Sequence, residues 1–256
     1  MTSTPKFSFN TAITPDMCGK EPKMKPTTAF TMFQNAAAFH AEDIGNGTAA
    51  LAKRNCYWVA THTRIDFINE AKHLDEVTVT TWAKQCKPNA VRGYRGYDIR
   101  CGEKLIAEGL TEWVVLNRDT GFVRFSEFGF PDDFEFYNEL PCGGKLSRFK
   151  DEFDDSEEMF TYIVRSESID IGRHMNNVAY VRVFLDCFTA DELAQLPIRS
   201  MEMRYVTACM EGEQLKIYKK KVDGGWQLGA RREDGKCACF GFLAVNEDCT
   251  EHTPFL

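Results

Sequence analysis

Two stretches of the chain carry apolar side chains on nearly every side of a predicted helix. Residues 27–44 begin with threonines that can act as caps, are rich in alanine and end before Gly45. Residues 177–188 are apolar at most positions. Because a helix that is apolar all round must be covered on most sides, both stretches predict buried helices.

Each predicted helix is followed by short runs with the composition of β-strands, rich in Val, Thr, Tyr and Trp and separated by Gly and Asp. The runs of the first half cover residues 56–68, 76–86, 91–99 and 104–116. Those of the second half cover residues 198–206, 214–222, 226–232 and 236–245. The gaps have the length of turns, which favours antiparallel meanders over parallel winding. A buried helix followed by a meander, twice over, predicts two α+β units.

Local similarity between the two halves supports this repeat. Residues 66–71 align with residues 204–209 at an offset of 138, and residues 104–109 align with residues 236–241 at an offset of 132. The falling offset indicates shorter loops in the second copy. The chain is therefore predicted to comprise three parts. These are an N-terminal domain (1–126), a connecting segment (127–158) and a C-terminal domain (159–256), with each sheet wrapping its own helix.

The connecting segment carries the chain's excess of negative charge. It contains eleven acidic and three basic residues, a balance of −8, against a formal net charge of −7 for all 256 residues. Its prolines and paired glycines predict irregular backbone. Its seven aromatic residues predict that the segment packs against the domains rather than moving freely.

Composition excludes several classes of protein. With 43% hydrophobic and 27% charged residues, the chain has a globular balance. No apolar run approaches the roughly 18 residues of a membrane span, and the first ten residues lack the apolar centre of a signal peptide, so we expect a cytoplasmic protein. The net negative charge, with no interleaved basic and aromatic motif, argues against nucleic-acid binding.

The ten cysteines predict reduced thiols rather than a disulfide framework. Cys237 and Cys239 would face one side of a strand, but their spacing supplies no further metal ligands. Neither glycine-rich nucleotide-binding motif occurs in the chain. We therefore predict no metal and no cofactor.

A polar cluster stands directly before the second helix, in the sequence S-I-D-I-G-R-H-M-N-N-V-A-Y of residues 168–180. Asn176 or Asn177 can cap that helix, and the unpaired N–H groups of its first turn can hold an oxyanion. Asp170 and His174 lie close enough upstream to point into the same space. This combination suits carbonyl hydrolysis. The alternative is that the asparagines cap, Asp170 closes a turn and His174 is an ordinary surface residue.

The pattern Asp-x-x-x-His-Met-Asn-Asn-x-x-Tyr before an apolar helix resembles the signature of acyl-acyl carrier protein (acyl-ACP) thioesterases. The resemblance continues in the first half through Trp58-Val59, Arg64-Ile65, the Thr-Trp strand of residues 76–82 and Glu112-Trp113. It implies an α+β fold of two tandem hotdog domains, each an antiparallel sheet wrapped around a buried helix. It also implies a thiolester hydrolase of fatty acid biosynthesis that releases free fatty acid from acyl-ACP.

Two positions depart from the family's pattern, which has an Asn two residues after the Asp and a Glu on a later strand. Gly172 and Ala208 stand there instead. The resemblance implies that Asp170 or His174 activates water while the helix start, with Asn176 or Asn177, holds the thioester oxygen. In a second account Cys209 is the nucleophile and His174 its base. Glu70 and Glu211 are the candidate substitutes for the missing carboxylate.

The resemblance further implies an acyl chain on the phosphopantetheine arm of acyl carrier protein, held largely by the first domain. The candidate acyl-binding residues lie on the first helix and are Met32, Phe33, Ala36 and Phe39. Carrier proteins are acidic, so docking requires a local basic surface. Two stretches are candidates for it, although a solvated outer face of strands explains their charges equally well. They are Lys84, Lys87, Arg92, Arg95, Arg100 and Lys104, and Lys216, Lys219, Lys220, Lys221, Arg231, Arg232 and Lys236.

Two competing functions stay open at this point. Hotdog folds also serve coenzyme A, so an acyl-CoA thioesterase is the alternative within the same reaction class. A non-catalytic acyl-binding protein is the alternative from a different class. A site that had lost its activity would carry residues without functional groups, such as Gly172 and Ala208, at the two positions. Further association into a homodimer is also left open.

Overall fold

The computed structural model describes residues 5–131 and 133–246, so the outermost residues of both predicted domains, Cys249 among them, lie outside the described residues. The first half comprises β1 (Lys6–Ala12), α1 (Pro26–Asp43), α2 (Thr48–Lys53), β2 (Cys56–Phe67), β3 (Glu76–Ala83), β4 (Arg92–Cys101), β5 (Lys104–Asn117), β6 (Gly121–Val123) and α3 (Phe125–Phe128). The second half comprises β7 (Glu158–Ile163), α4 (Asn177–Leu185), α5 (Ala190–Gln195), β8 (Ile198–Tyr205), β9 (Gln214–Val222), β10 (Gly225–Arg232) and β11 (Cys237–Val245).

Both predicted helices and all eight predicted strands are present, with ends shifted by at most three residues. Three strands of the described residues were not predicted, namely the three-residue β6, which pairs with β5, and the longer β1 and β7. β1 and β7 each precede the main helix of their half, and each forms an outermost strand of the sheet. Neither strand contains a fully buried residue, but both alternate, and Phe9 of β1 and Phe160 and Tyr162 of β7 pack against the core, so this signal was missed.

The strands of the described residues form one continuous antiparallel sheet in the order β1-β3-β4-β5-β2-β8-β11-β10-β9-β7, with β6 paired to β5. The two halves have the same strand order, counted from the outer edge of the sheet inwards. It is β1-β3-β4-β5-β2 in the first half and β7-β9-β10-β11-β8 in the second. The halves join where β2 pairs with β8, from His62 opposite Arg204 to Asp66 opposite Ser200. The two predicted sheets, one for each helix, thus join edge to edge into one, because the innermost edges of the two halves satisfy each other's hydrogen bonds.

Both main helices pack on one face of this sheet in a shared core. In α1, Ala29 and Ala36 are fully buried and Phe33 stacks on Tyr97 of β4. In α4, Val181 and Phe184 are fully buried. α4 is buried at seven of its nine positions, as its sequence predicted, whereas α1 also carries an exposed stripe through Asn35, Phe39 and Glu42.

Part of the connecting segment 127–158 lies on the opposite face of the sheet, whereas Phe134, nearer its start, packs on His40 of α1. The Ser147 N–H donates to Glu202 Oε1 at 2.6 Å, and Glu202 alternates along β8 with the core residues Met201 and Met203. Closer to the first half, the Trp82 indole N–H donates to the Glu139 carbonyl at 2.7 Å. The segment is docked, as its aromatic residues predicted. Within the described residues, no helix combines the length and apolarity needed to cross a membrane.

Candidate active site

The chain makes the same turn before each main helix. An isolated antiparallel bridge closes both turns, between Cys18 and Met24 in the first half and between Ile169 and Met175 in the second. The two turns are related by an offset of 151 residues. Each is tied to the loop that follows the central strand of its half, because Met24 N–H donates to the Ala71 carbonyl and Met175 N–H to that of Cys209, both at 2.8 Å.

The chemistry of the two turns differs. The second turn carries Asp170 and His174, whereas the equivalent positions in the first turn are Gly19 and Lys23. Lys23 forms an ion pair with Glu70 at 2.8 Å. An acid and a base therefore face each other in the second turn alone, so its surroundings form the candidate active site.

Asp170 is held by neighbours on both of its oxygens. Its Oδ1 accepts the backbone N–H of Gly172 at 2.7 Å, and its Oδ2 accepts the side-chain amide of Asn176 at 3.3 Å. His174 Nδ1 lies 3.8 Å from Asp170 Oδ1, and both side chains are about 30% exposed. This separation is an ion-pair distance rather than a hydrogen bond, so His174 is oriented by the carboxylate and remains accessible to a ligand.

The absence of a side chain at Gly172 makes room for the His174 ring. A Cβ at position 172 would lie 2.9 Å from both Asp170 Oδ1 and His174 Nε2, closer than side-chain atoms normally approach. Gly172 is therefore part of the geometry that brings the acid and base together. The next residue, Arg173, has a φ of +66°, which completes the tight turn between them.

The two asparagines at the start of α4 occupy different positions. Asn176 is the N-cap, and its Oδ1 accepts the Val178 N–H at 2.7 Å. Asn177 is the first helical residue and lines the cavity described below. The first N–H groups of a helix have no partner within it and carry its positive end, so this position suits an oxyanion.

A cavity of about 240 Å³ joins this turn to the first half of the chain. Asp170, His174 and Asn177 line one part of it. Much of the remaining wall is apolar and comes from the first half. It includes Ala37, Ala38, Ala41, Trp58, Val59, Ala60, Ala83, Trp113, Phe125 and Phe130. The cavity therefore brings the candidate catalytic pair of one half to an apolar wall built by the other.

The four predicted acyl-binding residues do not line this cavity. Met32, Phe33 and Ala36 are buried in the core, and Phe39 is 49% exposed and packs on Phe7 and Phe9 of β1. The residues that α1 contributes to the cavity wall are instead Gln34, Ala37, Ala38 and Ala41.

Cys209 is fully buried and does not line the cavity. Burial raises the pKa of its thiol, which disfavours the thiolate. Its backbone carbonyl accepts the Met175 N–H and so anchors the turn that carries Asp170 and His174. Neither candidate carboxylate lines the cavity. Glu70 is paired with Lys23, and Glu211 is exposed on the loop that follows Cys209.

Several cations of the two basic stretches are paired within the chain itself. In the first stretch Arg95 is buried, Arg92 pairs with Glu112 at 2.7 Å and Arg100 lies 3.6 Å from Asp98. In the second stretch five cations form ion pairs, three of them with the acidic connecting segment. These pairs are Lys216–Glu158, Lys220–Glu157, Arg231–Asp151, Arg232–Glu213 and Lys236–Asp234. Ion pairs within the described residues therefore compensate two of the six cations of the first stretch and five of the seven of the second.

One group of possible metal ligands lies elsewhere, where Asp66, Glu108 and Cys142 bring their ligand atoms within 4.8 Å of one another. The Arg64 guanidinium hydrogen-bonds both oxygens of Asp66, and the Cys142 N–H donates to Glu108 at 2.6 Å. Burial, followed by the neighbouring carboxylates, raises the pKa of the Cys142 thiol. These groups satisfy each other and lie outside the cavity, so we assign them no metal.

Sequence comparison agrees with this architecture. The family model for the acyl-ACP thioesterase N-terminal domain matches residues 5–124, and the model for the C-terminal domain of the same family matches residues 151–248. The chain belongs to the acyl-ACP thioesterase family. The predicted family is confirmed, as it was inferred from the motif of residues 170–180, the tandem arrangement and the Thr-Trp strand.

Individual relatives are distant. The chain is 24% identical over 257 residues to a chloroplastic palmitoyl-acyl carrier protein thioesterase of Arabidopsis thaliana, a match that covers 94% of this chain and 61% of that protein. The chain thus spans about three fifths of the length of this curated relative, and 47% and 54% of two others.

Solved structures share the fold over almost the whole chain. An acyl-ACP thioesterase from Bacteroides thetaiotaomicron matches with a TM-score of 0.83 at 20% identity, covering 94% of this chain and 98% of that one. The 12:0-ACP thioesterase from Umbellularia californica matches with a TM-score of 0.81 at 17% identity, covering 95% and 98%. At such identities the likeness shows the fold, which confirms the predicted α+β tandem hotdog architecture.

Proposed function

We propose that this protein hydrolyses fatty acyl thioesters carried by acyl carrier protein, releasing free fatty acid and the carrier thiol. The observation that carries the proposal is the cavity that joins Asp170, His174 and Asn177 to an apolar wall from the first half. A thioester requires an apolar space for its acyl chain and polar groups at its carbonyl, and this cavity supplies both. Membership in the acyl-ACP thioesterase family supports the choice of carrier.

In the proposed reaction His174 takes a proton from water while the water oxygen attacks the thioester carbonyl carbon. Asp170 orients His174 and stabilises its charged form, since the two lie 3.8 Å apart. The oxygen that becomes negative is received by Asn177 at the start of α4, through its backbone N–H and its side-chain amide, since the Val178 N–H is already bonded to Asn176. The carbon–sulfur bond then breaks, the thiolate sulfur takes up a proton and the new carboxylic acid leaves.

Direct attack by water is favoured over a covalent route through Cys209. A nucleophilic thiol must reach the carbonyl and must ionise. Cys209 is fully buried, lies outside the cavity wall and has a raised pKa. The loss of the family's Glu at Ala208 need not abolish turnover, because a single positioned base contributes on the order of 10²–10⁴ in rate.

We propose that the acidic carrier docks on cations close to the cavity, and not on the whole of either basic stretch. Lys84 lines the cavity, and Arg173 stands in the exposed turn between Asp170 and His174. A cation beside the opening is where the phosphate of a phosphopantetheine arm would gain most from charge attraction. We also propose that the protein acts in fatty acid synthesis, where such carriers supply the substrate.

The test is thiol release from a series of acyl-ACPs of increasing chain length, with the matched acyl-CoAs alongside. The proposal predicts rapid release from the carrier-linked substrates and much slower release from CoA. Equal rates on both carriers would replace it with a general acyl thioesterase. No release from either carrier, by protein whose fold is verified by circular dichroism, would leave a non-catalytic acyl-binding protein.

A further inference from the structure

A buried arginine stands in the wall of the apolar cavity. Arg95 lies on β4, is 8% exposed and belongs to the residues that line the cavity. Burying a cation is costly unless an anion or several hydrogen bonds compensate it. The partners of Arg95 therefore show what it can still bind.

The partners that the chain provides for Arg95 are neutral. Its Nη1 donates to Nδ1 of His40 at 2.8 Å and to the Thr81 hydroxyl at 3.2 Å. The Thr81 hydroxyl itself donates to the Gly96 carbonyl at 3.0 Å, so it is free to accept from Arg95. His40 is uncharged because burial, followed by the Arg95 cation, lowers its pKa to about 3.

No carboxylate of the described part of the chain forms an ion pair with Arg95, and both of its hydrogen bonds are made by one nitrogen. The guanidinium group carries five N–H donors in a planar fork that matches an oxygen acceptor such as a carboxylate. Nε and Nη2 donate to no group in the described residues. Arg95 is thus fixed through Nη1, while its remaining donors lie beside a cavity whose wall is otherwise mostly apolar.

We propose that Arg95 is a specificity-determining residue that selects acyl chains bearing a hydrogen-bond-accepting oxygen, a carboxylate above all, away from the thioester. A plain hydrocarbon chain would bury the unused donors without compensation, whereas an oxygen would pair with them. Sites built around buried polar groups discriminate strongly, because the wrong ligand leaves those groups unpaired. The inference rests on the proposed function, since it assumes that the acyl chain enters this cavity.

The experiment compares acyl-ACPs of matched length that end in a methyl, a hydroxyl or a carboxylate group, over several lengths, with the full chain as enzyme. The wild type is expected to show the highest kcat/KM on an oxygen-bearing chain, with the largest preference for the carboxylate. Arg95→Met keeps an unbranched side chain without donors. It is expected to reduce the ratio of oxygen-bearing to plain substrate at least tenfold while keeping or raising hydrolysis of the plain chain. Arg92→Met, on the exposed part of the same strand, is the matched control and should leave the ratio unchanged.

A second measurement does not depend on turnover. The melting temperature of the wild type should rise more with a free dicarboxylic acid than with a monocarboxylic acid of the same length, and Arg95→Met should remove the difference. A wild type that hydrolyses plain chains best, with a ratio unaffected at position 95, would overturn the role of Arg95 and leave the proposed function intact. Failure to hydrolyse any chain, plain or oxygen-bearing, would instead overturn the proposed function.

Discussion

Substitution of Gly172 by alanine places a methyl group where the catalytic pair meets. The new Cβ would stand 2.9 Å from Asp170 Oδ1 and 2.9 Å from His174 Nε2, whereas ordinary contacts begin at 3.4 Å. One or both side chains must therefore move by roughly 0.5–1 Å. A misplacement of about 1 Å near the reacting groups can cost on the order of 10² in rate. We expect kcat to fall about 10-fold to 100-fold.

Stability should hardly change in the same variant. The atoms that must move are the ends of flexible side chains, and Gly172 is not among the positive-φ residues, so alanine fits its backbone. Replacing glycine at a compatible position stabilises by about 0.4–1 kcal/mol through the unfolded chain. We therefore expect Tm to stay within about 4 °C of the wild type.

The assay is thiol release from the best acyl-ACP, with melting followed by circular dichroism. Gly19→Ala is the matched control, because Gly19 lies in the equivalent turn of the first half and has nothing within 4 Å of its Cβ position. Gly172→Asn, which introduces the residue expected from the family pattern, should lose activity for the same steric reason. Unchanged kcat in Gly172→Ala, or a gain in Gly172→Asn, would refute the argument that glycine is needed for the His174 ring.

Three further predictions concern the surroundings of the site. Cys209→Ala should keep kcat within about twofold of the wild type in the thiol-release assay, since water is the proposed nucleophile; a hundredfold loss would restore the covalent route. Asn176→Ala removes the cap on Val178 and the amide that holds Asp170, so urea unfolding should show a loss of about 1 kcal/mol together with a lower kcat; unchanged stability would exclude the capping role. His40→Asn should flatten the pH dependence of the unfolding free energy between about pH 3 and 6.5. The folded chain lowers the pKa of His40 from 6.5 to about 3, so acid protonates the unfolded chain first and stability falls as pH falls through that window. If the unfolding free energy of His40→Asn, measured by denaturant titration, depends on pH across that window as it does in the wild type, the lowered pKa of His40 is contradicted.

Much of the fold follows from patterns that the sequence shows directly. The two helices apolar on all sides and the eight strands with turn-length gaps are local signals, and each has its counterpart in the structure. The pairing of β2 with β8 is different, because it depends on two strand edges about 140 residues apart. Nothing in the local pattern of either strand distinguishes an edge that faces solvent from one that meets the other half.

The candidate site was predictable where its residues are contiguous and not where they are brought together by the fold. Asp170, His174 and Asn177 lie within one turn and helix start, so their proximity follows from chain geometry. Arg95 belongs by sequence to a run of cations that is typical of a solvated strand face. Its burial beside His40 of α1 is a tertiary contact. A buried cation whose hydrogen-bond partners are all uncharged leaves no charge pattern in the sequence.

The most direct test of the central claim is the turnover of His174→Ala on acyl-ACP, measured beside Lys23→Ala, the equivalent position in the non-catalytic turn. The account predicts that kcat falls at least a hundredfold in His174→Ala with nearly unchanged Tm, while Lys23→Ala retains wild-type kcat. Full activity of His174→Ala would contradict the assignment of the active site.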